Sequence, residues 1–116
     1  MSVLIIRKKA TKEEVEEMLK TLEQYIKVAV DISKSILAGG GIMHADCEAA
    51  LLEEGSQQTD IWGANWDPQK KTIEFEALIN IRPRANNRTM VIQDRSIRAQ
   101  VEEIVRSLLS TKESLG

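Results

Sequence analysis

The chain contains one cysteine, Cys47, and one histidine, His44, among 116 residues. A lone cysteine excludes an intramolecular disulfide framework. One Cys with one His also falls short of the four Cys or His ligands that structural zinc sites use, so no metal is expected. Aromatic residues make up only 3% of the chain, and Val, Ile, Leu and Ala must therefore fill most of a core. Long apolar runs are absent: Val3-Leu4-Ile5-Ile6 stops at Arg7-Lys8-Lys9, too short for a signal-peptide core or a membrane span. The expectation is a cytoplasmic protein with no membrane association. A strong excess of charge of one sign is lacking too, the formal net charge being −2. Binding that rests on neutralising phosphates draws on a strongly basic surface, so nucleic acid is not an expected partner.

What is present suits one globular domain over residues 1–116, with 42% hydrophobic and 29% charged residues. Residues 3–6 read as a short buried strand. Thr11-Lys12-Glu13-Glu14 has the form of a capping box, and Val15, Met18, Leu19 and Leu22 follow at helical spacing. From Tyr25 to Asp31 the residues alternate, with Ile26, Val28 and Val30 on one face and Lys27, Ala29 and Asp31 on a wet one. Ile32-Ser33-Lys34-Ser35 reads as a hairpin connection into Ile36-Leu37-Ala38. A short helix is expected from Ala45 to Glu54, ending at Gly55.

Residues 60–66 and 72–82 read as a hairpin turned by Asp67-Pro68-Gln69-Lys70-Lys71. Ile73, Phe75, Ala77, Ile79 and Ile81 would share one face of its second strand, and residues 89–92 would add another short strand. Asp94 is the expected N-cap of a last helix striped by Ile97, Val101, Ile104, Val105, Leu108 and Leu109, and residues 110–116 are expected to fray. The element order β-α-β-β-α-β-β-α implies an α+β fold. It would be a two-layer arrangement with a mainly antiparallel sheet of about four or five strands, covered by two longer amphipathic helices and one short helix.

Several runs carry a family likeness: Ile36-Leu37-Ala38-Gly39-Gly40-Gly41, His44-Ala45-Asp46-Cys47, Trp62-Gly63-Ala64, Leu78 to Arg84, Asn86-Asn87-Arg88 and Ile92-Gln93-Asp94. On these the chain resembles a small prokaryotic family catalogued only as a domain of unknown function. The resemblance implies one domain and carries no activity.

Four constellations are candidates for chemistry. The first is the loop containing Asn80, Arg82, Arg84, Asn86, Asn87 and Arg88; every arginine but Arg7 lies after residue 81. The guanidinium fork binds carboxylate or phosphate through paired hydrogen bonds, so this loop is the expected ligand-binding site. Against that stands a purely structural role, with the arginines pairing to Glu13, Glu16, Glu17, Glu53 and Glu54 and the asparagines shaping a turn. The second is Gly39-Gly40-Gly41 before a helix, where Gly40 and Gly41 would present backbone N–H groups to an anion. The spacing is neither that of a dinucleotide fingerprint nor that of a P-loop, so no cofactor is expected, and a bent strand explains the glycines equally.

The third constellation is His44, Asp46 and Cys47: His44 and Cys47, a base and a thiol one helical turn apart, are candidate catalytic residues without an identifiable orienting group, and the three lie too close together to suit a single metal. The fourth is Trp62 with Trp66 on one strand face, either core, a stacking platform or a partner-protein hot spot. The best reading is a binding module for an anionic small molecule, a nucleotide or an acidic partner segment. A homo-oligomeric interaction protein and an enzyme using His44 and Cys47 are the alternatives.

Overall fold

The computed structural model describes residues 3–110. Five strands form one antiparallel sheet: β1 (Leu4–Ile6), β2 (Ile26–Asp31), β3 (Ile36–Gly39), β4 (Ile61–Asp67) and β5 (Thr72–Glu74). Their order across it is β1-β3-β2-β4-β5. Three helices complete it: α1 (Lys12–Leu19), α2 (His44–Glu53) and α3 (Arg95–Leu109). The α+β class, the antiparallel sheet and the order of these elements are those expected from the sequence. Among the described residues no helix is long and apolar enough to cross a membrane.

The local signals act as their chemistry dictates. At the start of α1 the Glu14 N–H donates to the Thr11 hydroxyl at 3.0 Å, and the Thr11 N–H donates to the Glu14 carboxylate at 2.9 Å. Asp94 caps α3 by accepting from the N–H groups of Ser96 and Ile97. The Asp67 carboxylate accepts from the Gln69 and Lys70 N–H groups and so closes the β4–β5 turn. The expectation of fraying at 110–116 falls, apart from Ser110, outside the described residues.

Strand register sorts the side chains into two faces. Ile26, Val28 and Val30 of β2 join Leu37, Trp62, Ala64 and Trp66 in the larger core, under Val15 and Met18 of α1 and Val101, Val105 and Leu109 of α3. On the opposite face Ala29, Ala38 and Ile61 pack beneath Cys47 and Leu51 of α2. α2, at ten residues longer than the eight of α1, therefore covers the second face, so helices flank the sheet on both sides where two layers and a shorter second helix were expected. It corrects the expected wet face: Ala29 and Asp31 are fully buried. The Asp31 carboxylate is satisfied there by the Ser33 and Lys34 N–H groups and by the Ser56 hydroxyl at 2.6 Å.

The expected strand over 72–82 ends at Glu74. Beyond it residues 75–77 pair with 90–92 instead: the Ile92 N–H donates to the Phe75 carbonyl and the Ala77 N–H to the Met90 carbonyl, both at 3.0 Å. Of the expected strand over 89–92 only a single bridge, Val91 with Glu76, forms. The chain then crosses over β4 at Gly63. A Cβ there would stand 2.6 Å from the Ala77 Cβ and 3.0 Å from the Ile79 Cγ1, so only glycine admits the crossing. As a result Phe75 packs on the larger core and Ile79 on the smaller one, not on a shared face.

Candidate functional site

The Arg/Asn loop is built from two buried asparagines. Asn80 is fully buried. Its Oδ1 accepts from the Gly63 N–H at 2.7 Å, and its Nδ2 donates to the Gly63 carbonyl at 3.0 Å. One side-chain amide thus serves the donor and acceptor that a neighbouring strand would serve, and it replaces β5 where β5 stops short. The same Nδ2 lies 3.1 Å from the Met90 carbonyl.

Asn87 continues the network. Its Nδ2 reaches the carbonyls of Asn80 at 2.8 Å and of Thr89 and Val91 at 3.0 Å, while its Oδ1 accepts from the Gln93 N–H at 2.8 Å. Backbone bonds in both directions between Arg82 and Asn87 close the loop tip. Asn86 sits there at φ 59°, a left-handed conformation that Asn tolerates. Asn80 and Asn87 are therefore framework, with their amide groups engaged by the chain itself.

The three arginines divide. Arg82 is clamped: its guanidinium donates to the Ile79 and Gln58 carbonyls and pairs with Glu48 of α2 at 3.3 Å. It also lies 5.0 Å from the centre of the Trp62 ring. Its side chain and that of Glu48 are each only 13% exposed, so the pair bolts the loop to α2. Arg84 and Arg88, by contrast, are exposed. They make no hydrogen bond or ion pair among the described residues, and the glutamates weighed as their partners do not reach them. The same stretch exposes three large aliphatic residues, Leu78 at 65%, Ile81 at 43% and Val91 at 40%.

The glycines lie elsewhere. Gly40 and Gly41 are buried between β3 and α2. Gly40 adopts φ 96°, its N–H donates to the Lys27 carbonyl at 3.2 Å, and its carbonyl accepts from the Thr21 hydroxyl at 2.6 Å. A Cβ at Gly41 would press on the Asp46 Cβ and the Cys47 Sγ, each at 3.1 Å. The positive φ accounts for Gly40 and close packing for Gly41, and they do not join the arginines.

His44 opens α2, and its Nε2 lies 3.0 Å from the Ala64 carbonyl and 2.9 Å from the Asn65 Oδ1. The Asn65 orientation is fixed because its Nδ2 donates to the Glu76 carbonyl at 3.3 Å. Two acceptors facing one ring nitrogen require that nitrogen to carry the proton, which leaves Nδ1 as a lone-pair acceptor. Burial lowers the His44 pKa below 6.5, outweighing these hydrogen bonds, and the charge of Lys27 lowers it further. The imidazole is thus neutral at pH 7.

Cys47 is buried on the inner face of α2, and desolvation pushes its thiol from 9.0 up to about 11. That is opposite to the shift that makes a nucleophile. Both tryptophans are core residues, Trp62 at 2% and Trp66 at 1% exposure. Neither presents a ring face for stacking.

Sequence reasoning passed over the surroundings of His44. A cleft of about 350 Å³ runs beside it, with Lys27, Asn65 and Glu76 among its polar lining and Met43, Leu78 and Met90 among its apolar lining. It adjoins a second, more acidic cleft of about 450 Å³ with which it shares Tyr25, Asn65 and Glu76. The alternation of Glu74 and Glu76 with Phe75 was the one available signal, and it reads equally as a plain solvated face.

A family model described as "Protein of unknown function (DUF5674)" matches residues 4–108, and the chain belongs to that family. No curated protein and no solved structure matches it.

Proposed function

We propose that this member of the DUF5674 family is a binding module that captures an acidic, partly apolar segment of a partner protein on the loop spanning residues 78–91. One observation carries this reading. Two buried asparagines and a clamped arginine fix the loop backbone, while Arg84 and Arg88 are left exposed and unpaired among the described residues. A loop held on a rigid framework keeps its contact groups positioned at low entropic cost, and the ordering that binding would otherwise require is already done.

The composition of the loop favours an acidic peptide. No acidic residue lies between Glu76 and Asp94, so the arginines meet no internal competitor along it. Leu78, Ile81 and Val91 add apolar area that a free phosphate or sulfate would leave uncovered. Nucleic acid fits less well, because the net charge is −2 and both tryptophans are buried.

The test is fluorescence anisotropy with a labelled peptide of alternating Glu and Leu, titrated with wild type and with the double variant Arg84→Glu/Arg88→Glu. Exposed ion pairs contribute up to about 1 kcal/mol each, and reversal adds repulsion, so the variant should bind roughly tenfold or more weakly. Equal affinity for both proteins contradicts the reading.

A further inference from the structure

The geometry points to a second site: the cleft beside His44 takes a small molecule that carries an N–H donor, an amine or amidine, on a flat apolar body. The inference rests on which polar groups there are already engaged. The His44 Nε2 proton faces the Ala64 carbonyl and the Asn65 Oδ1. Asn65 is engaged at both ends of its amide, and the Lys27 ammonium donates to the Ile42 carbonyl at 3.0 Å. Two of the three Lys27 N–H donors remain, and beside them the cleft offers acceptor capacity. The His44 Nδ1 has no partner among the described residues, and the Glu76 carboxylate is exposed and unpaired among them.

A ligand therefore gains most by bringing hydrogen-bond donors. Within the cleft Lys27 offsets the Glu76 charge, and the available imidazole nitrogen has no proton to give an anion. The adjoining cleft sets the preference, since Asp67, Glu74 and the shared Glu76 line it against one cation, Lys70. Met43, Leu78, Ile79 and Met90 supply the apolar wall, and about 350 Å³ lies within the range of small-molecule sites. Methionine side chains adapt their shape to a flat ring and make favourable sulfur–aromatic contacts.

This site is independent of the arginine loop's proposed role, although Leu78 borders both. Because His44 is the only histidine, its imidazole signals in a proton–carbon correlation spectrum are unambiguous. Benzamidine and benzoate are the probes, alike in shape and opposite in charge. Benzamidine should shift the His44 signals saturably, and benzoate should leave them in place.

Ala45→Trp supplies the second arm. Position 45 is exposed on α2 and lines the cleft, so an indole there fills the cleft without entering the core and leaves the reporter intact. Benzamidine should then bind at least tenfold more weakly. Three results would each overturn the proposal: benzoate binding as tightly as benzamidine, no saturable shift with benzamidine, or unchanged benzamidine affinity in Ala45→Trp.

Discussion

Replacing Asn80 by alanine tests how the fold ends its sheet. The substitution removes an acceptor 2.7 Å from the Gly63 N–H and a donor 3.0 Å from the Gly63 carbonyl. A buried backbone group left without a partner costs about 1–3 kcal/mol, so two of them, with a small cavity, should destabilise the protein by roughly 3–5 kcal/mol. That is a large share of the total of roughly 5–15 kcal/mol typical of a folded domain. Urea unfolding followed by the fluorescence of Trp62 and Trp66 reads this directly as a lower midpoint at unchanged slope.

Asn80→Asp sharpens the test. It keeps the acceptor for Gly63 N–H but turns a second carboxylate oxygen towards the Gly63 and Met90 carbonyls. It should therefore be at least as damaging at neutral pH and should recover stability on acidification, when the carboxyl gains a proton to donate. A loss below about 1 kcal/mol for Asn80→Ala would refute the idea that this amide stands in for a strand. So would an Asn80→Asp variant as stable as wild type at pH 7.

Two further outcomes follow from the same geometry. Gly63→Ala should cost about 1–3 kcal/mol in chemical denaturation, because its Cβ would fall 2.6 Å from that of Ala77, and adding Ala77→Gly should restore part of the loss. A pH profile of stability should fall at both ends. The unfolded His44 takes up a proton near pH 6.5 while the folded one resists to lower pH, so stability declines as pH drops below about 6.5, and His44→Gln should remove that limb. The unfolded Cys47 loses its proton near 9.0 and the folded one near 11, so stability also declines between those values, by roughly 2–3 kcal/mol, and Cys47→Ala should flatten that limb.

Much of the fold was legible because its signals are local. The Thr11–Glu14 capping box, the Asp94 cap and the stripe on α3 need only neighbours in sequence to be read. The β2–β3 hairpin and the β4 alternation are of the same kind. What was illegible depends on contacts distant in sequence. The apolar alternation from Ile73 to Ile81 is a valid strand pattern, and only the missing Cβ at Gly63 and the amide of Asn80 explain why the chain leaves the sheet after Glu74.

The site shows the same division. Asn80 and Asn87 in a polar, arginine-rich stretch read as solvent-facing donors, whereas tertiary burial makes them framework. Arg82 reads like Arg84 and Arg88 until Glu48, 34 positions earlier in the chain, claims it. Likewise His44 and Cys47 suggest a pair by spacing, yet the ring is oriented by Asn65, 21 positions away.

Under the proposed function, Arg84 and Arg88 select an acidic segment by charge. A charge-swap titration reads that selection. Wild type and Arg84→Glu/Arg88→Glu are each titrated with two labelled peptides, one alternating Glu with Leu and the other alternating Lys with Leu. The expected result is a crossing: wild type prefers the Glu peptide, the variant prefers the Lys peptide, and both preferences shrink as salt is raised. Preferences that do not move when the two charges are reversed would rule out selection by these arginines.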